Sequence, residues 1–358
     1  MSSRFVPLTP RIGAKAVMRR EEVLEAGFGD ECLDALERHG VLLFPGIGFS
    51  DEEQVAFSEN LGKIIPMGPM RPDGTQEAVY KITLDPHENP SGAEYLKATI
   101  AWHIDGLFDD GPPPKATMLS ARRLSAKGGD TEFCNTYAAY DDLPGAERRH
   151  YETLRVMHSL EASNRSTNPS PTPEELATWR KAEAGRERAG RRGVSEHPLV
   201  WRHRSGRKSL VLGMTVDHVV GMPEAESHAL VEKLTAHATR PEIVYRHEWR
   251  LGDLLIWDNC GVMHRATPYD SQSGRLMHRT TLYGVERIEG AQGASCEWGR
   301  NCPTGLRSSR VAPAVSVVRR PNYSCKRAQG SSSQMWTPRA AKPWRRISAT
   351  RQFSNELT

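Results

Sequence analysis

Trp102-His103-Ile104-Asp105 is the stretch on which the reading of this chain turns, together with the later Trp257-Asp258-Asn259-Cys260-Gly261-Val262-Met263-His264. In extended backbone, residues i and i+2 share a face, so His103 and Asp105 on a strand can grip one ion. His264 would bring a third ligand from elsewhere in the chain. The pair alone is a weak signal. With 13 histidines in the chain, about 0.6 His-x-Asp matches arise by chance, and an aspartate fixing a histidine tautomer would look the same.

Read as ligands, His103, Asp105 and His264 leave three positions of a six-coordinate metal open. That is the facial arrangement of non-haem Fe(II) oxygenases, whose open positions take a co-substrate and O2.

The composition permits such an enzyme. A chain of 358 residues, 38% hydrophobic and 26% charged, can bury a sizeable core. It holds no run of about 18 apolar residues, which argues against a membrane span. The start, Met1-Ser2-Ser3-Arg4-Phe5, lacks the apolar centre of a signal peptide. Six cysteines at irregular spacing suggest a reducing compartment, and the expected location is cytoplasmic. The formal charge of +4 is uneven. Residues 289–358 carry 12 Lys/Arg against 3 Glu, and the remainder carries 36 basic and 41 acidic residues. A net of −5 on that remainder gives a nucleic-acid role no support.

Outward from the motif, Leu8 to Ala14 reads as a short opening strand with a turn, and Glu21 to Gly40 as an amphipathic helix that Gly40 ends. Val41-Leu42-Leu43-Phe44, closed by Pro45-Gly46, suits a buried strand. Ser50 caps a second helix whose first turn is acidic, running to about Leu61-Gly62. Further strands are expected near Ala78 to Leu84, through His103 and Asp105, at Ala116 to Ala121 and, after the turn Gly128-Gly129-Asp130-Thr131, at Glu132 to Asn135. A helix follows near Tyr137 to Leu143. Residues 160–195, polar and rich in arginine (Arg186, Arg188, Arg191, Arg192), read as a solvated loop and helix or as a mobile lid over the metal. Strands at Leu199 to Trp201 and Ser209 to Leu212 flank the turn Ser205-Gly206. A helix spans Pro223 to Ala238, and strands follow at Ile243 to Arg246, Leu254 to Trp257 and Arg279 to Val285. The expected fold is mainly β with flanking helices (α+β), around a double-stranded β-helix of the jelly-roll, cupin-like type.

These residues resemble the taurine/2,4-D dioxygenase family of Fe(II)/2-oxoglutarate-dependent oxygenases. The resemblance covers roughly residues 5 to 288. Its marks are Pro10-Arg11-Ile12-Gly13-Ala14, Trp102-His103-Ile104-Asp105, Gly128-Gly129-Asp130-Thr131, His197-Pro198-Leu199-Val200, Gly206-Arg207-Lys208-Ser209-Leu210, Ala238-Thr239-Arg240-Pro241-Glu242, Trp257-Asp258-Asn259 with His264, and Arg275-Leu276-Met277-His278-Arg279.

The resemblance implies Fe(II) held by His103, Asp105 and His264, with 2-oxoglutarate and O2 as co-substrates. It assigns the far carboxylate of 2-oxoglutarate to Thr131 and to Arg275, eleven residues past His264. A guanidinium forks two hydrogen bonds onto a carboxylate and a hydroxyl adds a third. Arg279, at the offset where sulfonate-specific members grip their substrate, implies an acidic substrate or a supporting role in the 2-oxoglutarate pocket. The taurine-specific histidine and asparagine are absent. The loop reads Lys63-Ile64-Ile65-Pro66-Met67, and Thr99 stands four residues before His103. With Phe108, Ile65 and Met67 suggest a more apolar pocket. The expected substrate is a small organic acid other than taurine, such as an aryloxyalkanoate or an alkyl sulfate. Asp105 occupies the position that iron halogenases leave for chloride, so hydroxylation is the expected chemistry. Two alternatives are a zinc-dependent hydrolase on the same barrel and a binding protein with a degenerate site. The resemblance also implies a homo-oligomer, dimer or tetramer.

Residues 1–288 are read as the dioxygenase domain, and 289–358 as a basic tail outside the resemblance, expected to be disordered. The tail holds Cys296, Cys302 and Cys325.

Overall fold

The computed structural model describes residues 4–290 apart from 26, 86, 90–97, 109–110 and 189–192. Beyond Gly290 the tail, with its expected disorder and three cysteines, lies outside the described residues, as do Arg191 and Arg192 of the suggested lid.

In chain order the strands are β1 (Phe5–Pro7), β2 (Ala14–Ala16), β3 (Val41–Phe44), β4 (Tyr80–Ile82), β5 (Ala116–Arg123), β6 (Thr131–Asn135), β7 (Arg155–Ser159), β8 (Val194–Pro198), β9 (Val200–Arg202), β10 (Lys208–Leu210), β11 (Val216–Val219), β12 (Val244–His247), β13 (Leu254–Asp258), β14 (Val262–Ala266) and β15 (Leu276–Thr281). The helices are α1 (Arg20–Val23), α2 (Phe28–His39), α3 (Asp51–Leu61), α4 (Thr136–Asp141), α5 (Gly145–Tyr151), α6 (Leu160–Thr167), α7 (Pro173–Arg188) and α8 (Glu224–Ala238). Among the described residues, no helix is long and apolar enough to cross a membrane.

The main sheet runs β1-β2-β3-β13-β5-β15-β4, and a smaller sheet runs β12-β6-β14. The continuous apolar runs of β3 and β13 follow from burial on both faces of the main sheet. Leu42, Phe44, Ala116, Met118, Leu254 and Ile256 point one way, into a core with Phe28 and Cys32 of α2 and Phe57 of α3. Val41, Leu43, Leu119, Leu255, Trp257 and Met277 point the other way, onto Phe133 of β6 and Val262 of β14. Period-two alternation thus divides one apolar string between two cores. Phe44 meets Phe57 edge-on at 5.5 Å, a favoured aromatic geometry. A third core joins β7, β9 and β10 to α4 and α8, with Trp201 fully buried in it.

The helix ends follow local chemistry. Ser50 accepts from the Glu53 N–H and Glu53 returns a bond to Ser50, closing a capping box on α3. Gly40, at φ 72°, ends α2 with its N–H on the Leu36 carbonyl at 2.8 Å.

The structure revises several expectations. The helix from Glu21 to Gly40 is two helices, parted near Gly27 at φ 92°, a backbone conformation that helical residues do not adopt. The stretch Leu8 to Ala14 is the turn of a hairpin whose strands are β1 and β2 on either side. The last strand is Leu276–Thr281 rather than Arg279 to Val285, and β7, β8, β11, β14 and α5 were not anticipated. The most consequential revision concerns His103. It lies in a single antiparallel bridge to His264, not in a strand, because the chain turns at Gly106 (φ 79°). A Cβ on Gly106 would stand 2.8 Å from Pro114 Cδ.

The turn from β13 to β14 leaves no spare room. A Cβ on Gly261 would fall 1.7 Å from Tyr137 Cε2, and Tyr137 is itself held under the Arg207 guanidinium, 3.7 Å from the ring centroid. Gly261→Ala is expected to destabilise the protein by about 1–3 kcal/mol through overpacking, read by urea denaturation. A variant as stable as the parent would contradict this packing.

Candidate active site

His103 and His264 exchange main-chain bonds, N–H to carbonyl, at 3.0 and 2.9 Å. Their rings stand 4.1 Å apart between centroids. Asp105 Oδ1 lies 3.9 Å from His103 Nε2 and 4.0 Å from His264 Nε2. Two donors each about 2.1 Å from one ion can stand at most about 4.2 Å apart, so the three side chains fit a shared metal. They are buried, and among the described residues they are the one His/Cys/Asp/Glu group whose atoms converge in this way.

The donors are in the right charge states. His103 Nδ1 lies 2.9 Å from the Ala101 carbonyl, so that nitrogen carries the proton and Nε2 keeps a lone pair facing the centre. Burial lowers the pKa of His103, with Asp105 opposing. Burial also pushes His264 well below 6.5, reinforced by His103. Burial alone would raise Asp105, but Arg279, His264 and His103 outweigh it and bring the carboxyl down to about 2. Two neutral imidazoles and one carboxylate are what a divalent cation requires.

The other oxygen of Asp105 is occupied. Oδ2 accepts from Arg279 Nη2 at 2.7 Å and from Thr117 Oγ1 at 2.9 Å. Behind Thr117, the Asn259 amide donates to Thr117 Oγ1 at 3.0 Å, and the Trp257 indole donates to Asn259 Oδ1 at 3.1 Å. The tryptophan ring also lies against His264, with centroids 4.6 Å apart.

Thr131 and Arg275 lie at the turn of Gly128 and Gly129. A Cβ on Gly129 would stand 2.7 Å from Arg275 Nε, so glycine there lets the guanidinium approach. Arg275 Nη2 donates to the Gly129 carbonyl at 2.9 Å, and its guanidinium lies over the Tyr269 ring at 4.8 Å. Burial lowers its pKa, with Tyr269 and Asp130 opposing. Among the described residues no carboxylate forms an ion pair with this buried cation, an arrangement suited to an anionic ligand. Thr131 Oγ1 accepts from the Trp249 indole at 3.0 Å. An indole N–H only donates, so the hydroxyl hydrogen of Thr131 is left to point elsewhere. On β6 and β14, Thr131 and His264 share one face with Phe133, since His264 pairs with Phe133 in register.

The residues expected around the substrate are less concentrated. The Ile65 N–H donates to the Thr281 carbonyl at 2.8 Å, which ties the loop to the strand bearing Arg279. Met67 is exposed. Thr99 sits in a short 3-10 turn, Ala98–Ile100, and Phe108 is half-buried beyond the Gly106 turn. In the suggested lid, α6 and α7 are helical. Sequence reasoning missed Thr117 and Trp249, for which it offers no signal. Trp257 and Asn259 were visible as a motif without a role.

A cavity of about 620 Å3 is lined by Trp102, Met214, Val231 and Arg265. Trp102 and Arg265 adjoin the two histidines in sequence and alternate away from them.

Comparison with known proteins places these features in context. The family model described as "Taurine catabolism dioxygenase TauD, TfdA family" matches residues 4–281. The chain is 34% identical over 270 residues to an alpha-ketoglutarate-dependent 2,4-dichlorophenoxyacetate dioxygenase of Burkholderia sp. (strain RASC), covering 70% of this chain and 83% of that one. It is 34% identical over 283 residues to an alpha-ketoglutarate-dependent sulfate ester dioxygenase of Pseudomonas putida, covering 78% and 88%. A crystal structure of AAD-2 in complex with Mn(II) and N-oxalylglycine superposes with a TM-score of 0.64 at 30% identity, covering 81% of this chain and all of that one.

The lowered imidazole pKa values have a pH consequence. Burial lowers both histidine pKa values below 6.5, whereas an unshifted pair would lose about twofold in affinity as the pH falls from 7 to 6.5. Mn(II) affinity measured by calorimetry is expected to fall by less than that between pH 7 and 6.5. A twofold or greater loss over that range would contradict the assignment of neutral, buried ligands.

Proposed function

This chain belongs to the taurine catabolism dioxygenase TauD, TfdA family, and on that premise we propose residue roles and a substrate class for an Fe(II)- and 2-oxoglutarate-dependent dioxygenase. Such an enzyme takes RH, O2 and 2-oxoglutarate to ROH, succinate and CO2; iron, when bound, supplies the oxidising chemistry that couples the two half-reactions. We assign His103, Asp105 and His264 as its ligands. Arg275 and Thr131 bind and orient the far carboxylate of 2-oxoglutarate. The observation that carries this assignment is the buried Arg275 guanidinium, whose protein partners are a carbonyl and an aromatic ring.

The substrate is a small organic acid, of the aryloxyalkanoate or alkyl sulfate class rather than taurine. Support comes from the two relatives at 34% identity, which act on a phenoxyacetate and on sulfate esters. Arg279 has five N–H donors. Asp105 and Thr281 engage its Nη2 and Nε, so the same guanidinium can hold Asp105 and still donate to an acid. Ile65, Met67 and Phe108 would give the substrate pocket a more apolar lining, with Thr99 as its polar member. Hydroxylation at a carbon bearing an ether or sulfate oxygen gives a hemiacetal-type product. That product collapses to a carbonyl compound and the phenol or sulfate, so the net result is cleavage.

The two sheets sharing the core around Phe133 and Trp257 are best read as a double-stranded β-helix. Residues 1–288 form the dioxygenase domain, within which 160–195 is a solvated loop and helix or a lid. The working form is a cytoplasmic homo-oligomer.

Anaerobic addition of 2-oxoglutarate to the Fe(II)-loaded protein should give the weak visible charge-transfer band of the chelated keto acid. His103→Ala should abolish the band. Arg275→Ala should raise the 2-oxoglutarate concentration for half-saturation about 30-fold or more, the lower end for truncating a buried hydrogen-bonded charge pair. An unchanged half-saturation would remove Arg275 from the site. Succinate release across a panel of phenoxy acids, alkyl sulfates and taurine would then test the substrate class, and taurine as the preferred substrate would overturn it.

A further inference from the structure

The Trp257-Asp258-Asn259 motif has so far carried no function, and its hydrogen bonds run in one direction only. The Trp257 indole can donate but not accept. Its contact with Asn259 Oδ1 therefore fixes which end of that amide is oxygen, an orientation that coordinates alone do not normally decide. The amide nitrogen must then donate to Thr117 Oγ1, which makes the threonine hydroxyl an acceptor on that side. Its single hydrogen is left for Asp105 Oδ2. Thr117, Asn259 and Trp257 are almost fully buried, so water does not compete for these bonds. Trp257 and Thr117 are also direct register partners on β13 and β5.

We propose that Trp257, Asn259 and Thr117 form a one-way relay that holds Asp105 to ligation through Oδ1 alone. The inference rests on the reading of His103, Asp105 and His264 as metal ligands. Oδ2 receives two donors, the Thr117 hydroxyl and Arg279, while Oδ1 faces the two imidazole nitrogens. A carboxylate free to rotate could place both oxygens on the ion and consume one of the three positions that 2-oxoglutarate and O2 need. The relay members are positioning residues, since none of them touches the metal position.

The test uses the full-length protein and Mn(II) alone, titrated calorimetrically without co-substrate, alongside thermal melting of each variant. Thr117→Val is expected to weaken Mn(II) binding about tenfold, the lower end for loss of an outer-shell partner. Thr117→Ser, which keeps the hydroxyl, should stay within twofold of the parent. Trp257→Phe, which keeps an aromatic ring beside His264 but removes the N–H, should lose about threefold. If Thr117→Val melts far below the parent, Trp257→Phe decides, and parental affinity there rejects the relay. Asp105→Ala separates the two ideas. If it abolishes binding while Thr117→Val binds like the parent, the relay is wrong and the metal site stands. If Asp105→Ala itself binds like the parent, the metal-site reading fails.

Discussion

Two hydrogen bonds between the main chains of His103 and His264 bring the halves of this site together, and they do so without a strand on the His103 side. One bridge suffices because the segment is clamped by other means. The Met214 N–H donates to the Trp102 carbonyl at 2.8 Å, and Gly213 packs so closely that a Cβ there would stand 3.0 Å from His103 Cα. The glycine turn at 106 then swings Asp105 toward Thr117 and Arg279. The ligand spacing of i and i+2 survives, but a turn supplies it rather than a pleat.

The charges show a division of labour. Asp105 is buried with a cation and a hydroxyl on one oxygen, so its desolvation is offset within the protein. Among the described residues Arg275 has the Gly129 carbonyl and Tyr269 for partners and no ion pair, so its burial is less fully offset within the protein. The two arginines are four residues apart around β15 but are spent differently. Arg279 is paired with Asp105, whereas Arg275 has no ion pair among the described residues.

How much of this was legible in the sequence depends on the range of the signal. Buried strands such as Val41–Phe44 and Leu254–Trp257, the Ser50 cap and the Gly40 helix stop were read correctly because each is set by neighbouring residues. The family motifs marked the three ligand residues and Thr131 and Arg275, and the fold brings the three ligand residues together. The helix from Glu21 was misread because Gly27, a residue tolerated inside helices, takes a left-handed conformation that only the tertiary structure imposes. Trp249 and Thr117 were invisible for a deeper reason. Trp249 acts through a bond to Thr131, 118 positions away, and Thr117 links Asp105, 12 positions away, to Asn259, 142 away, and no local pattern encodes such bonds.

The strand order of the main sheet also bears on how the protein is made. β3 leaves the ribosome early, yet its antiparallel neighbour β13 is synthesised some two hundred residues later, and β5 waits for both β13 and β15. Until then the apolar run Val41–Phe44 can cover only part of itself, against β2 and the helices. The same late segment carries Trp257, Asn259, His264, Arg275 and Arg279. Translation of the final strands therefore completes the hydrophobic sheet and the candidate metal site together, and a nascent chain does not bring His103, Asp105 and His264 together before its core can close around them.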